Sequence, residues 1–209
     1  VLSTASFPAR RSRTADGLTA QFGFTRRIDL AYRIPYIDQK QKHGLIFDFN
    51  YSEPRNLAYF TDDHKLVFRR GDKRLRTSFI TGVAYTFRKN FYQTHTFQYQ
   101  HQSNSVADSI TYFNPNYFGE SNRNQNFSVL RYFFNSDHRD VIAYPLKGFQ
   151  ITALFSKSGL GFGPVNLWEI NASYSHFADL GHGYYLSTFT SGYISSPDNQ
   201  PYSLYGALG

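Results

Sequence analysis

The sequence predicts an all-β fold, an antiparallel transmembrane β-barrel with essentially no helix, and three observations predict it. Aromatic residues make up 19% of the 209-residue chain, with 21 Phe and 17 Tyr, yet the mean hydropathy is only -0.48. A chain that aromatic and still that polar fits strands with one greasy face and one wet face. Apolar and polar residues alternate with period two in segment after segment, as they do in strands that divide two environments. The connections alternate between short and long along the chain, the asymmetry of an outer-membrane barrel with short periplasmic turns and longer outer loops. No window of about 18 apolar residues exists, which excludes a transmembrane helix but not a barrel.

Residues 1–7 are short and β-prone and Pro8 closes them; Arg10, Arg11 and Arg13 then lead to the turn signal Asp16-Gly17. In 18–24, Leu18, Ala20, Phe22 and Phe24 share one face. In 28–37, Ile28, Leu30, Tyr32, Ile34 and Tyr36 oppose Asp29, Ala31 and Arg33, with Pro35 tolerated near the strand end. The cleanest alternation is 45–52, where Leu45, Phe47, Phe49 and Tyr51 oppose Asp48, Asn50 and Ser52. The pattern recurs in 79–87 (Phe79, Val83, Tyr85, Phe87), less regularly in 91–101, and in the aromatic-rich 126–135. It returns in 149–157 (Phe149, Ile151, Ala153, Phe155) and 168–175 (Trp168, Ile170, Ala172, Tyr174). Residues 184–194 are a strand by composition, with undecided faces.

Between these strands, 38–43, 88–90, 136–147 and 178–183 are short or compact, whereas 56–76, 102–125 and everything after Ser195 are long and polar. Residues 158–166 are an intermediate case on the long side, and 25–27 an exception. A small soluble barrel fills its interior with apolar side chains. Here the face carrying Asp29, Arg33, Asp48, Asn50, Glu169 and Asn171 is polar, so the apolar face is expected to meet lipid and the polar face a wet lumen. Phe47, Phe49, Phe79, Val83, Ile151 and Ile170 are thus expected on the lipid side, and Asp48, Asn50, Gln150 and Asn171 in the lumen. Strands of about 9–11 residues match a tilted crossing, and Tyr36, Tyr51, Tyr92, Trp168 and Tyr184 at segment ends suit interfacial girdles. About ten strands are legible, and the chain stops in a loop region past Pro201. An unclosed edge in lipid costs several kcal/mol per unsatisfied group, so further strands are expected from more of the same chain. Val1 is no initiator and Met is absent, which points to residues upstream.

The net charge of +7 favours anionic partners. Arg69, Arg70, Lys73, Arg74 and Arg76 form a basic group that, on the outer side, is expected to contact lipopolysaccharide phosphates. Nucleic acid is not expected, because the aromatics alternate as a lipid face and are not interleaved with that group. There is no Cys, and the seven His are scattered; His95 and His101 lie about 20 Å apart on an extended strand, too far to share a metal. The Gly159-Leu-Gly-Phe-Gly163 run is followed by no helix and is read as a loop. Arg70-Gly71-Asp72 falls in a basic loop, and the Asn50 and Asn171 sequons fall inside strands. No Ser/His/Asp set has a recognisable spacing, so no catalytic residue, cofactor or metal is expected.

The most specific stretch is S-D-H-R-D-V-I-A-Y-P-L-K-G at 136–148. Asp137, Arg139 and Asp140 can pair locally and satisfy turn backbone groups, Pro145 stops the ladder, and Gly148 permits a tight return into the next strand. The order D-x-R-D-x-x-x-Y-P-x-x-G, with Tyr144 before Pro145, resembles a turn in the barrel domain of the BamA/TamA family of outer-membrane assembly proteins. Q-P-Y-S-L-Y-G-A-L-G at 200–209 resembles the approach to that family's V-R-G-F/Y loop motif, which is not reached. L-A-Y-R-I-P-Y-I-D at 30–38 and F-R-K-N-F-Y at 87–92 are most similar to Bacteroidetes-type members.

The resemblance covers nearly the whole chain. It implies that 1–209 is part of a barrel domain, strands two to eleven of a sixteen-stranded barrel in the outer membrane of a Gram-negative bacterium. Upstream POTRA domains and the closing strands lie outside this chain on that reading. It implies a non-enzymatic protein that folds and inserts, or exports, other outer-membrane proteins through a lateral seam. The implied partners are outer-membrane lipid and lipopolysaccharide, unfolded outer-membrane protein clients and accessory assembly-complex subunits. A two-partner-secretion transporter, a barrel carrying a patatin-like passenger and a plain porin are the alternatives.

Overall fold

The computed structural model describes residues 4–6, 15–161 and 165–205. Arg10, Arg11 and Arg13, Gly163 and the end of the 200–209 stretch lie outside them, as do parts of the 1–7 segment. Ten strands form one sheet: β1 (Thr4–Ser6), β2 (Ala15–Gln21), β3 (Thr25–Ile34), β4 (His43–Pro54), β7 (Arg76–Arg88), β8 (Gln93–Val106), β9 (Asn124–Asp137), β10 (Gly148–Ser158), β11 (Leu167–Gly181) and β12 (Tyr184–Ser196). Two further strands, β5 (Asn56–Asp62) and β6 (Lys65–Arg70), make a separate hairpin between β4 and β7. The order in the large sheet is that of the chain, every pair is antiparallel, and the successive turns therefore fall alternately at two ends. One end carries the turns 35–42, 89–92, 138–147 and 182–183; the other carries the short turn 22–24, the loops 55–75 and 107–123, and residues 159–161 and 165–166. The all-β expectation holds, and the architecture is that of a partial outer-membrane-type β-barrel.

Register fixes the faces. Ile34, Leu45, Tyr85, Phe97, Tyr132, Phe155, Ile170 and Ile194 stand side by side across eight strands. The next row on the same face holds Tyr32, Phe47, Val83, Tyr99, Leu130, Lys157 and Trp168. Phe47, Phe79, Val83, Ile151 and Ile170 are exposed on this face, and half-buried Phe49 meets Phe79 edge-on at 5.1 Å. The opposite face carries Asp29, Asp48, Asn50, Gln98, Gln100, Arg131, Gln150, Glu169 and Asn171. A band of exposed apolar side chains spanning eight strands is a face built to meet another apolar surface or lipid. The faces of β12 follow from its pairing: Ile194 lies beside Ile170 on the apolar face and Tyr193 beside Asn171 on the polar one. The sequence left them undecided because Tyr184, Tyr185, Phe189 and Tyr193 put aromatic rings on both faces.

Three expectations need correction. Residues 18–24 were expected as one strand and 25–27 as a connection; β2 ends at Gln21, and Thr25 already pairs with Pro54. Phe22 and Phe24 continue the alternation past the strand end, where Phe24 lies under the Arg70 guanidinium at 4.9 Å. The stretch 56–76 was expected as loop, but Asn56–Arg70 pairs as a hairpin turned at Asp63 and His64, both with positive φ. The stretch 102–125 was likewise expected as a long loop; β8 runs on to Val106, β9 starts at Asn124, and between them lies α1 (Asp108–Phe113). A short 3-10 turn also follows β12 at Tyr202–Leu204.

With one face apolar and bare and the other wet, the sheet itself has little core. Burial is concentrated at the long-loop end. Leu75, Val106, Ile110, Tyr117 and Phe118 form one buried cluster, with Leu57, Tyr59, Ala107 and Tyr202 against it. Phe127, Val129 and Val165 form a second, touched by Leu204. Asn114 donates to the Tyr59 carbonyl at 2.6 Å, while Tyr202 and Ser203 donate backbone N–H to the Asn116 and Tyr117 carbonyls at 2.9 Å. Hairpin, helix and post-β12 segment are thus fastened to one another. Each fully buried side chain here contributes about 1.5–3 kcal/mol.

Candidate functional site

The turn between β9 and β10 is built around two carboxylates that do different work. Asp137, the last residue of β9, accepts from Arg139 Nε at 2.8 Å and Nη2 at 2.6 Å, a two-pronged pair, and from the Arg139 backbone N–H at 3.2 Å. Both side chains are mostly sheltered, at 17% and 15% exposure, and the carboxylate holds the Arg139 guanidinium above its ordinary value. Asp140 turns inward on the loop instead: its Oδ1 accepts backbone N–H groups of Val141 at 2.9 Å and Leu146 at 3.0 Å. Backbone N–H groups, that of Lys147 first, hold its carboxyl below the usual range. The loop closes through Asp140 N–H to the Lys147 carbonyl and His138 N–H to the Phe149 carbonyl, at 3.0 and 2.8 Å. Gly148 then starts β10 at φ +105, and a Cβ there would lie 2.1 Å from the His138 carbonyl oxygen. Pro145 is half-buried, and Tyr144 is exposed with Val141 and Ile142 at the tip.

The polar face carries a cross-strand network that sequence reading did not assemble. Asp48 on β4 accepts from Gln98 Nε2 at 3.3 Å and Gln100 Nε2 at 3.1 Å, both from β8. The intervening strand β7 offers Gly82 at that level, and a Cβ there would sit 2.7 Å from Asp48 Oδ2. Arg131 on β9 donates to the Gln100 carbonyl oxygen. A cation and an anion are thus joined through a glutamine amide across four strands. Asn50 donates to Asp29, which also pairs with Arg27 at 2.6 Å. Gln150 donates to Asn135 at 2.9 Å, and Tyr193 to Glu169 at 2.9 Å. The signal available in the sequence was Gly82, a glycine inside a strand, which marks a close approach. Two open recesses flank this network. One of about 620 Å³ is lined by Arg27, Asp29, Asp48, Asn50 and Gln100; the other, about 330 Å³, by Glu169, Asn171, Tyr193 and Gln200.

The five basic residues do not converge. Arg69 lies over Phe113 at 4.6 Å and Arg70 over Phe24. Arg74 pairs with buried Glu53 at 2.7 Å, and Arg76 turns inward to donate to Asn104 at 2.8 Å. Lys73 is exposed. The girdle candidates sort to the two ends: Tyr36, Tyr92 and Tyr184 at the short-turn end, Tyr51 and Trp168 at the long-loop end, where Lys157 lies over the Trp168 ring at 4.7 Å.

Apolar band, polar inner wall, short turns at one end and packed loops at the other define the wall of an outer-membrane-type barrel. Fifty-two chains of solved structures match the fold. Among them is BamA from Haemophilus ducreyi lacking POTRA domains 1–3, with a TM-score of 0.63 at 12% identity. The match covers 87% of this chain and 35% of that one, so this chain spans about a third of it. At that identity the likeness is one of fold. No family model matches the chain, and no curated protein matches its sequence.

Proposed function

We propose that this chain is part of the wall of an outer-membrane barrel of the assembly type, residing in the outer membrane of a Gram-negative, Bacteroidetes-type bacterium. The observation that carries the reading is the ten-strand sequential sheet with one bare apolar face, whose fold is similar to the BamA barrel. On this reading the chain supplies strands two to eleven of sixteen, preceded by POTRA domains and followed by the V-R-G-F/Y loop and closing strands. The seam between first and last strands opens, and a client strand adds to the exposed edge by backbone pairing. No bond is made or broken, so the protein is not an enzyme; its work is to lower the barrier for strands to enter lipid. Clients are unfolded outer-membrane proteins, accessory subunits hold the periplasmic side, and Arg70 and Lys73 meet lipopolysaccharide phosphate. The Asp137–Arg139 pair, with Asp140, Tyr144, Pro145 and Gly148, fastens a periplasmic turn.

The test is folding of an unfolded outer-membrane protein into vesicles with and without the intact protein. Accelerated client folding is expected. Stable ion conductance with no acceleration would assign the barrel to a porin, and export of a soluble partner to a secretion transporter.

A further inference from the structure

The apolar face changes character toward the short-turn end. His43 on β4 stands opposite Phe87 on β7, stacked at 5.3 Å, with its Nδ1 2.5 Å from the Tyr85 hydroxyl. His95 on β8 repeats the arrangement opposite Phe134 on β9, its Nδ1 2.8 Å from the Tyr132 hydroxyl. The two imidazoles bracket Phe87, which His95 also stacks on at 6.0 Å. Further along, His138 lies between Tyr92 at 4.5 Å and Phe149 at 4.6 Å, and Phe149 stands opposite His176. His43 and His95 thus share with Phe87 and Phe134 the row just beyond the Leu45–Ile170 row, and His138, Phe149 and His176 form a second aromatic group four residues further toward the turns.

Imidazole is out of place in hydrocarbon, while aromatic rings with a polar tip settle at the headgroup level. In the tautomer in which the tyrosine hydroxyl donates to Nδ1, the imidazole carries its proton on Nε2 and offers it as a donor. The two His–Tyr pairs are therefore two like donors, two strand spacings or about 10 Å apart, on the scale of neighbouring lipid headgroups. One cation lies just beyond, the exposed Lys89 of the β7–β8 turn; Lys42 and Arg88, the latter over Tyr36 at 5.0 Å and bonded to the Pro35 carbonyl, alternate onto the other face. The carboxylates of that end are already engaged. Asp38 accepts backbone N–H groups of Lys42 and His43, Asp137 and Asp140 are held as described, and Asp179 takes Lys147 at 2.9 Å and the Gly181 N–H. Two donors in one row with an exposed cation just beyond them, and the nearby anions occupied, suit phosphate on a flat surface.

We propose that this row binds the phosphate headgroups of anionic phospholipids, with the His43–Tyr85 and His95–Tyr132 pairs as its donors. The proposal rests on the reading of the chain as a membrane-spanning wall. The test folds the intact protein into phosphatidylcholine bilayers and measures, by electron spin resonance, how strongly it retains spin-labelled phosphatidylglycerol over spin-labelled phosphatidylcholine. A preference of about three-fold is expected, the size of a few solvent-screened charge contacts. His43→Phe with His95→Phe, which keeps the rings, should bring the preference close to one. Tyr85→Phe with Tyr132→Phe, which keeps both imidazoles and frees their orientation, should lose about half of it. Equal retention of both lipids by the unaltered protein, or an unchanged preference in both paired variants, would overturn the proposal and leave the row to a protein partner. Failure to enter any bilayer would overturn the membrane-wall reading as well.

Discussion

Arg139 is held in a two-pronged grip by a carboxylate two residues away, and the pair spans the junction of β9 with its turn. An exposed pair of this kind contributes about 0–1 kcal/mol, and charge-assisted bonds with restricted water access about 1.5–3. Arg139→Ala is therefore expected to lower barrel stability by about 1–2 kcal/mol, and Arg139→Lys to restore only part, because an ammonium has no planar fork. The midpoint of the heat-induced gel-mobility shift reads this, beside the client-folding assay. A fully stable barrel lacking activity would give Arg139 a direct role in client handling. Asp140 makes a different prediction. Its carboxyl is held below the unfolded value of about 3.9 by backbone N–H groups. The stabilisation is present above that value and is lost as pH falls through the folded one. Amide exchange at Leu146 should accelerate in that acid window, and Asp140→Asn should flatten the dependence.

At the scale of elements, β7 depends on a missing side chain. A methyl at Gly82 would press on both Asp48 oxygens and on Gln100 Cγ, at 2.7–2.8 Å. Gly82→Ala is expected to cost about 1–3 kcal/mol through overpacking, again read by the gel-shift midpoint, whereas Ala84→Gly beside it leaves the network intact. Most elements were legible because an outer-membrane strand must alternate, so the period-two signal of 45–52 or 79–87 maps directly onto faces. Turn order was legible in 136–148, since Asp137, Arg139 and Asp140 act over a few residues. The Asp48–Gln100–Arg131 chain was not, because its members lie up to 83 positions apart (131 − 48) and meet only through register. Hairpin β5–β6 was masked by its charges: Lys65, Arg69 and Arg70 read as loop, although Leu57, Val67 and Phe68 supply strand-forming side chains. The helix at Asp108–Phe113 is too short to show a period of 3.6.

For the whole molecule, the two ends of the sheet are unlike. One is bare turns; the other is a packed cap in which Tyr117, Phe118 and Ile110 are buried. If the cap faces outside and the turns face the periplasm, single cysteines at Asp63 and Lys73 should label on intact cells, and one at Ala143 only after the outer membrane is opened. The reverse pattern would invert the topology. The central claim is that one face of the sheet meets lipid and the other a wet lumen, and spin labels read it residue by residue. Nitroxides placed singly at 47, 48, 49 and 50, and at 170 and 171, in the folded intact protein are compared for collision with oxygen and with a water-soluble nickel chelate. Oxygen should dominate at 47, 49 and 170 and the chelate at 48, 50 and 171, with a period of two. Uniform accessibility along β4, or chelate access at Phe47 and Ile170, would contradict it.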